Sequence, residues 1–148
     1  MPDWPRDRLD IKLIVEAADP ATAAAARAAI DGPPYEVVVV PSVGPRTKPK
    51  ALAFALPFAR GALVTVYDAE DRPHPQQLRQ AYAAFCRCGA DVACLQSSVV
   101  VDNAGAGPLA RLFAVEYAAL FDGLLPALAA LDLPLPLGGT SNHFRGLG

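Results

Sequence analysis

The sequence has few of the residues that cross-link a chain covalently or through zinc. It contains 3 cysteines and 2 histidines among 148 residues. This is too few for a disulfide framework, and Cys86 and Cys88, two apart on a predicted helix, point in different directions. A structural zinc site normally needs four neighbouring cysteine or histidine ligands. We therefore expect reduced core cysteines, no zinc site and, by default, a cytosolic location.

An excess of charge of one sign is also lacking. The net charge is -2, and the 13 lysines and arginines are scattered, apart from a short group at Arg46, Lys48 and Lys50. Proteins that bind nucleic acid usually carry a clustered basic surface. We therefore expect no nucleic-acid partner.

Long uninterrupted apolar runs are absent as well. Residues 1–8 are polar and of mixed charge, which fits neither a signal peptide nor an anchor. The longest apolar tract, residues 109–131, is interrupted by Arg111, Glu116, Asp122 and Pro126, so we predict no membrane span. The hydrophobic content of 53% is nevertheless ample for a core. Residues 1–148 are therefore expected to form one domain.

Alternating strand and helix patterns predict an α/β fold. Apolar runs rich in β-branched residues predict strands at 10–15, 36–40, 63–66 and 91–101. Caps, breakers and helical periodicity predict helices at 20–30, 50–56, 76–88 and from 109 to 124. Glu116 falls on the apolar stripe of the last helix, either at its wet edge or buried with a partner.

Three acids follow the third predicted strand within a few positions. Ligands bind at the carboxyl ends of strands in open α/β sheets. Asp68 and Glu70 are two apart, so in extended backbone they would project to the same side and could share one divalent cation. The alternative is an acidic turn that only solvates the strand end.

Residues 138–145, with the sequence G-G-T-S-N-H-F-R, form a loop-like segment of glycines and hydrogen-bonding side chains. Paired glycines allow close backbone approach, and the polar side chains could bind a polyhydroxylated ligand. The alternative interpretation is a disordered tail.

Three segments, in order, resemble motifs of family 2 glycosyltransferases, in particular the membrane-associated, cellulose-synthase-like processive branch. They are T-K-P-K-A-L at 47–52, Y-D-A-E-D-R-P at 67–73 and G-G-T-S-N-H-F-R at 138–145. The resemblance extends from about residue 5 to 145. It implies a glycosyltransferase-A-like, Rossmann-like fold with a mainly parallel sheet flanked by helices. It also implies inverting transfer of a hexose from a nucleotide-diphosphate sugar, such as a UDP-sugar, to a glycan or lipid-linked acceptor.

On the donor side, the resemblance assigns a role to five residues. Asp68 and Glu70 would hold the Mg²⁺ or Mn²⁺ that bridges the nucleotide diphosphate, and Asp68 would also contact the nucleotide-sugar. Glu16 would contact the nucleoside, with Asp19 as a nearby alternative, although either could be a cap residue instead. Lys48 would lie near the diphosphate as a point charge.

On the acceptor side, the resemblance places Asn142, His143 and Arg145. Asp71 is a spare carboxylate that we expect with the donor phosphates rather than with the acceptor-side segment. Ala53 stands where the family commonly has asparagine. The family's opening nucleotide loop and its later segments, which supply the catalytic base and the Q-x-x-R-W motif, have no counterpart. His143 is the one candidate for a substitute base.

These departures predict a partial catalytic domain, truncated at both ends. If the enzyme is split, its remainder would be encoded nearby; the alternatives are a decayed or misannotated gene. This chain would be cytoplasmic, with full-length relatives membrane-associated and their catalytic domain in the cytoplasm. One rival is a remnant that only binds nucleotide or metal, recognised by metal-dependent UDP binding without turnover. Another is a nucleotidyltransferase, which would release pyrophosphate.

Overall fold

The computed structural model describes residues 3–146, which divide into two compact units. The first unit comprises the chain up to Val64, Pro75–Arg79 and the chain from Gly146. The second comprises Thr65–His74 and Gln80–Arg145. The mixture of strands and helices confirms the α/β class.

The first unit is built on two parallel strands. β1 (Ile11–Glu16) and β2 (Tyr35–Val40) pair in register over their whole length. Helix α1 (Pro20–Ala29) follows β1, and α2 (Lys48–Ala55) follows β2, as the alternating pattern predicts. The buried apolar side chains of this unit come from β2 and from both helices: Ala23, Val38, Val40 and Ala55.

A three-stranded sheet has the order β3 (Leu63–Val66), β5 (Asn142–Arg145) and β4 (Cys94–Gln96). β4 and β5 are antiparallel. The boundary between the two units falls within β3 and within α3 (Gln77–Arg87).

Two predicted elements of the second unit are wrong. The predicted strand at 91–101 shrinks to β4, and Val100 is 81% exposed. Its run of valines has a high strand propensity, but propensity decides little where no neighbouring strand pairs with the run. The predicted loop at 138–145 instead contains β5, the central strand of its sheet, because its polar side chains find partners inside the protein.

The longest helical stretch runs from Pro108 to Ala130, through α4 (Pro108–Ala118), a π-helical segment (Ala119–Leu124) and α5 (Leu125–Ala130). Its half-buried face is Ala110, Ala114, Tyr117, Leu120, Phe121, Leu125 and Leu128.

The apolar stripe predicted for this helix is therefore only partly the packed face. Leu109, Leu112 and Leu124 are more than half exposed. The reason is that apolar residues occur nearly all round the helix, so apolar periodicity alone does not identify the packed side. Glu116 is exposed, in agreement with a place at a wet edge.

By length and composition alone, this helix could cross a membrane. It has 23 residues, and its most apolar 18-residue window has a mean hydropathy of 1.5 with none of that window buried. Core helices and signal sequences pass the same test, so it is weak evidence on its own. That no segment enters a bilayer stays a prediction.

The cysteines are all free. Cys88 and Cys94 are partly buried, but Cys86 is exposed, so the expectation of a core position is wrong for that residue. It lies on the outer face of α3.

Candidate functional site

The acids after β3 form a closed turn, Asp68–Asp71, called the acidic turn below. The Asp71 N–H donates to the Asp68 carbonyl at 3.1 Å, and the Asp68 N–H donates to Asp71 Oδ2 at 2.7 Å. The Asp68 side chain is half-buried, and Glu70 is exposed. The backbone here is a turn rather than extended, so the alternation argument for Asp68 and Glu70 does not apply. Their role as metal ligands stays a prediction.

The donor set of the acidic turn suits a hard cation. Within residues 3–146, no three histidine, cysteine, aspartate or glutamate side chains are grouped to hold a metal ion. Mg²⁺, however, keeps several waters and is usually bound by one or two carboxylates together with substrate phosphates. Two carboxylates on a strand-end turn fit the protein's share of that pattern.

The G-G-T-S-N-H-F-R segment contacts the acidic turn inside the second unit. Thr140 Oγ1 donates a hydrogen bond to Asp71 Oδ2, and the Asp68 N–H lies 3.3 Å from the same hydroxyl. The Ser141 N–H donates to the Val66 carbonyl at 2.9 Å. Asp71 therefore lies with this segment, and the expectation that it stands apart from it is wrong. Sequence spacing carried no signal for this contact.

Tyr67 lies between the last residue of β3 and the acidic turn. Burial raises the pKa of its hydroxyl to about 12, with a smaller contribution from the negative charge of Asp71. The edge of its ring faces the ring of His143 at a centroid distance of 6.4 Å. This residue therefore stays a neutral phenol at physiological pH.

His143 is 2% exposed and has a partner on each ring nitrogen. Nδ1 lies 2.8 Å from Thr65 Oγ1, and Nε2 lies 3.2 Å from Ser97 Oγ. Burial lowers the pKa of the imidazole. A general base must come within about 2.6–3.2 Å of the proton it removes. Both nitrogens are taken by hydroxyls of the protein, so this arrangement does not favour the base role, which stays a prediction.

Asn142 is 4% exposed. Its Nδ2 donates to the Gly138 carbonyl at 2.6 Å, which ties the strand to the glycine pair that precedes it. Its buried Oδ1 has no hydrogen-bond partner within the described residues. An unpaired buried amide oxygen is costly, so this acceptor-side candidate has an unused hydrogen-bond acceptor.

The guanidinium of Arg145 binds carbonyls near the end of α3. Nε donates to the Val92 carbonyl at 2.8 Å, and Nη2 donates to those of Phe85 and Gly89 at 3.0 and 3.2 Å. The group also lies over the Phe85 ring, 4.8 Å from its centroid. A cation at a helix C-terminus is favourable for the helix dipole. The contacts are structural, and acceptor binding by Arg145 stays a prediction.

The first unit holds the other donor-side candidates. Glu16 ends β1 and pairs with Lys50 Nζ at 3.4 Å, and the same ammonium donates to the Pro41 carbonyl at 2.7 Å. Asp19 is the N-cap of α1, accepting from the Thr22 N–H at 2.9 Å, and this bond lowers the pKa of its carboxyl.

Of the two interpretations of Asp19, the structure therefore shows the helix cap.

Lys48 is half-buried at the first position of α2. The pairing of Glu16 with Lys50 was not predicted, although Lys50 lies in the same lysine motif as Lys48. Nucleotide contacts by these residues stay predictions.

A family model described as glycosyltransferase like family 2 matches residues 3–131. Because the match covers well over half of the sequence, the chain belongs to this family. The predicted glycosyltransferase family is therefore confirmed. Members of this family transfer glycosyl groups from nucleotide-sugar donors to acceptors. Residues 138–145 lie outside the matched range. Searches of curated proteins and of solved structures found no match.

Proposed function

We propose that this chain binds a nucleotide-diphosphate sugar through a divalent cation at the acidic turn, as part of a hexosyltransferase of the cellulose-synthase-like processive branch. The observation that carries the proposal is the acidic turn itself, which lies at the end of a strand inside the family match. Its backbone is held by hydrogen bonds, while the Glu70 side chain remains exposed.

Asp68 and Glu70 would hold the Mg²⁺ or Mn²⁺. Such an ion acts as a Lewis acid for the negative charge that gathers on a departing nucleoside diphosphate, an effect worth several kcal/mol. Glu16 would contact the nucleoside, with Asp19 as the alternative, and Lys48 would lie near the diphosphate as a point charge.

The acceptor would be a growing glycan or a lipid-linked sugar, and its hydroxyl would displace the nucleoside diphosphate with inversion at the sugar carbon. Asn142, His143 and Arg145 belong to the acceptor side in this proposal. Their buried contacts support a role in which they fix the shape of the segment 138–145. The branch also implies a catalytic domain on the cytoplasmic side of a membrane.

The test is the thermal stability of the purified chain with UDP, with Mn²⁺ and with both. Ligands that bind only the folded state stabilise it by about 2.7 kcal/mol at a hundredfold excess over the dissociation constant. We expect a rise in melting temperature with UDP and Mn²⁺ together that exceeds the effect of either alone. Asp68→Asn should remove the joint effect.

A matched control is Asp102→Asn, which removes an aspartate of the same unit from an exposed ion pair with Arg72 at 3.3 Å. This variant should respond like the parent. An equal response of the Asp68→Asn variant would show that the acidic turn does not bind the metal, and no response of the parent would contradict nucleotide binding altogether.

A non-catalytic remnant is the second candidate, and the arrangement of His143 favours it. Both ring nitrogens are engaged inside the protein, so the one candidate base is occupied. Radiolabelled UDP-glucose, UDP-N-acetylglucosamine and GDP-mannose, incubated with Mn²⁺ and glycan or lipid acceptors, distinguish the two. UDP binding without labelled product supports the remnant, and labelled product that disappears with His143→Ala identifies His143 as the base.

A further inference from the structure

Asp71 occupies the last position of the acidic turn, and two donors converge on one of its oxygens. The Asp68 N–H donates to Oδ2 at 2.7 Å, and the hydroxyl of Thr140 donates to the same atom. Both residues are half-buried, which strengthens hydrogen bonds to a carboxylate relative to those in water. Because a carboxylate oxygen has two lone-pair positions, this oxygen is fully used within the protein.

The same part of the chain is held from a second direction. The Ser141 N–H donates to the carbonyl of Val66, the last residue of β3. Ser141 has a left-handed backbone with φ of 57°, a conformation that few residues other than glycine adopt. Residues 140 and 141 thus bond to the chain immediately before and immediately after Tyr67. Strained backbone persists only where its surroundings hold it in place.

We propose that Asp71 and Thr140 form a latch that fixes the backbone of the acidic turn and thereby sets the positions of Asp68 and Glu70. Both are positioning residues, and neither is a metal ligand or a base. The consequence for ligand binding rests on the proposed function, whereas the effect of the latch on the turn does not. Through the latch, the segment 138–145 also stabilises the conformation of the acidic turn.

Residues that orient metal ligands commonly contribute ten- to a hundredfold to metal affinity. Loss of the latch should leave both ligand carboxylates present but allow the turn to sample other conformations. We therefore expect the dissociation constant for Mn²⁺ and UDP to rise by about tenfold or more in Asp71→Ala, which removes the accepting oxygen, and in Thr140→Val. Thr140→Ser keeps the hydroxyl and should stay close to the parent.

The experiment combines two measurements on the parent, these three variants and the Asp102→Asn control. Amide hydrogen exchange, resolved by NMR, reports the protection of the Asp68 N–H without any ligand. Calorimetric titration with UDP in the presence of Mn²⁺ reports the dissociation constant. Urea unfolding serves to confirm that every variant is compared in its folded state.

The latch predicts faster exchange of the Asp68 amide in Asp71→Ala and Thr140→Val, and parent-like exchange in Thr140→Ser and Asp102→Asn. Equal exchange in all five proteins would overturn it. Faster exchange with an unchanged dissociation constant would overturn the claim that the latch positions the ligands. If the parent does not bind UDP with Mn²⁺, the proposed function fails, and the exchange rates alone decide whether the latch exists.

Discussion

At the scale of single residues, the most informative side chain is His143, which the family resemblance assigned to the acceptor side. Burial and two hydroxyl partners make His143 a neutral part of the protein interior. Its position in a polar segment suggested exposure. The signal that sequence analysis lacked was the pairing of that segment between two strands, which depends on residues 46 and 78 positions away in the chain.

The depressed pKa of His143 predicts a loss of stability in acid. As the pH falls below the unfolded value of about 6.5, the unfolded chain takes up a proton before the folded chain does, so the free energy of unfolding decreases. The contribution of His143 to the free energy of unfolding is fully present above that pH. One such group accounts for at most about 1.4 kcal/mol per pH unit. Urea unfolding between pH 7.5 and 5 measures the slope.

The comparison is with His143→Gln, which keeps donor and acceptor groups but does not titrate, and with His74→Gln, which changes the other, exposed histidine. The slope should shrink in the first variant and persist in the second. A slope that survives His143→Gln unchanged would show that another group is responsible.

At the scale of elements, the C-terminal end of α3 depends on a side chain from β5. Hydrogen bonds to charged groups contribute about 1.5–3 kcal/mol, and carbonyls left unpaired cost free energy. In Arg145→Lys, the lysine ammonium cannot donate to all three carbonyls in the same geometry, because it lacks the planar shape of the guanidinium. We expect the free energy of unfolding to fall by about 2 kcal/mol in urea.

The control for this prediction is Arg87→Lys, in the last turn of the same helix. Arg87 is exposed, so its change should stay within about 0.5 kcal/mol. Similar effects of the two substitutions would mean that general charge at the helix end, rather than the bonds of Arg145, stabilises α3.

Apolar residues of different elements should differ sharply in their contribution to the free energy of unfolding. Val40 of β2 is 0% exposed, and Leu112 of α4 is 63% exposed. Val40→Ala should lower the free energy of unfolding by about 2 kcal/mol through lost burial and a cavity. Leu112→Ala, although it removes more atoms, should change it by no more than about 0.5 kcal/mol. The reverse order in urea unfolding would contradict the packing described for both elements.

Local pattern was sufficient for most elements up to α3. β1, β2, β3 and the first three helices begin and end close to their predicted limits, because apolar runs and breakers are local signals. β5 was missed because its stability comes from partners such as Thr65 and Ser97 rather than from its own composition. The packed face of the last helical stretch was predicted only in part, because apolar residues occur nearly all round it.

At the scale of the whole molecule, the family could be predicted, whereas the internal structure of the candidate site could not. Three ordered motifs indicated family 2 glycosyltransferases, and the family match confirms that membership. The motifs name residue types at positions, but hydrogen bonds such as those between Asp71 and Thr140 depend on the folded chain. Residues that were predicted to bind ligands, such as His143 and Arg145, therefore also form hydrogen bonds within the fold.

The exposed apolar side chains predict a property of the native protein as a whole. Nine of the large apolar residues that are well exposed lie between residues 109 and 137. Exposed apolar surface binds apolar dyes. We expect native protein to enhance the fluorescence of anilinonaphthalene sulfonate, and Leu109→Gln with Leu112→Gln to reduce that signal without lowering the free energy of unfolding by more than about 1 kcal/mol.

Val43→Gln is the control for that prediction, because Val43 is 80% exposed but distant in sequence from the helix. It should leave the dye signal nearly unchanged. Dye fluorescence that is absent from the folded parent, or that both sets of substitutions reduce equally, would contradict a continuous apolar surface on the helix.

The π-helical segment Ala119–Leu124 has a consequence for insertions and deletions in the gene. Its wider turns contain more residues than α-helical turns, and each residue of an α-helix advances the side chains by about 100°. Loss of the Gly123 codon would let α4 and α5 join as one regular helix, in which Leu125 would lie seven residues after Tyr117 and therefore stay on nearly the same side. A single-codon deletion there should therefore disturb packing less than one within α5, which would rotate every later side chain of the helix by about 100°.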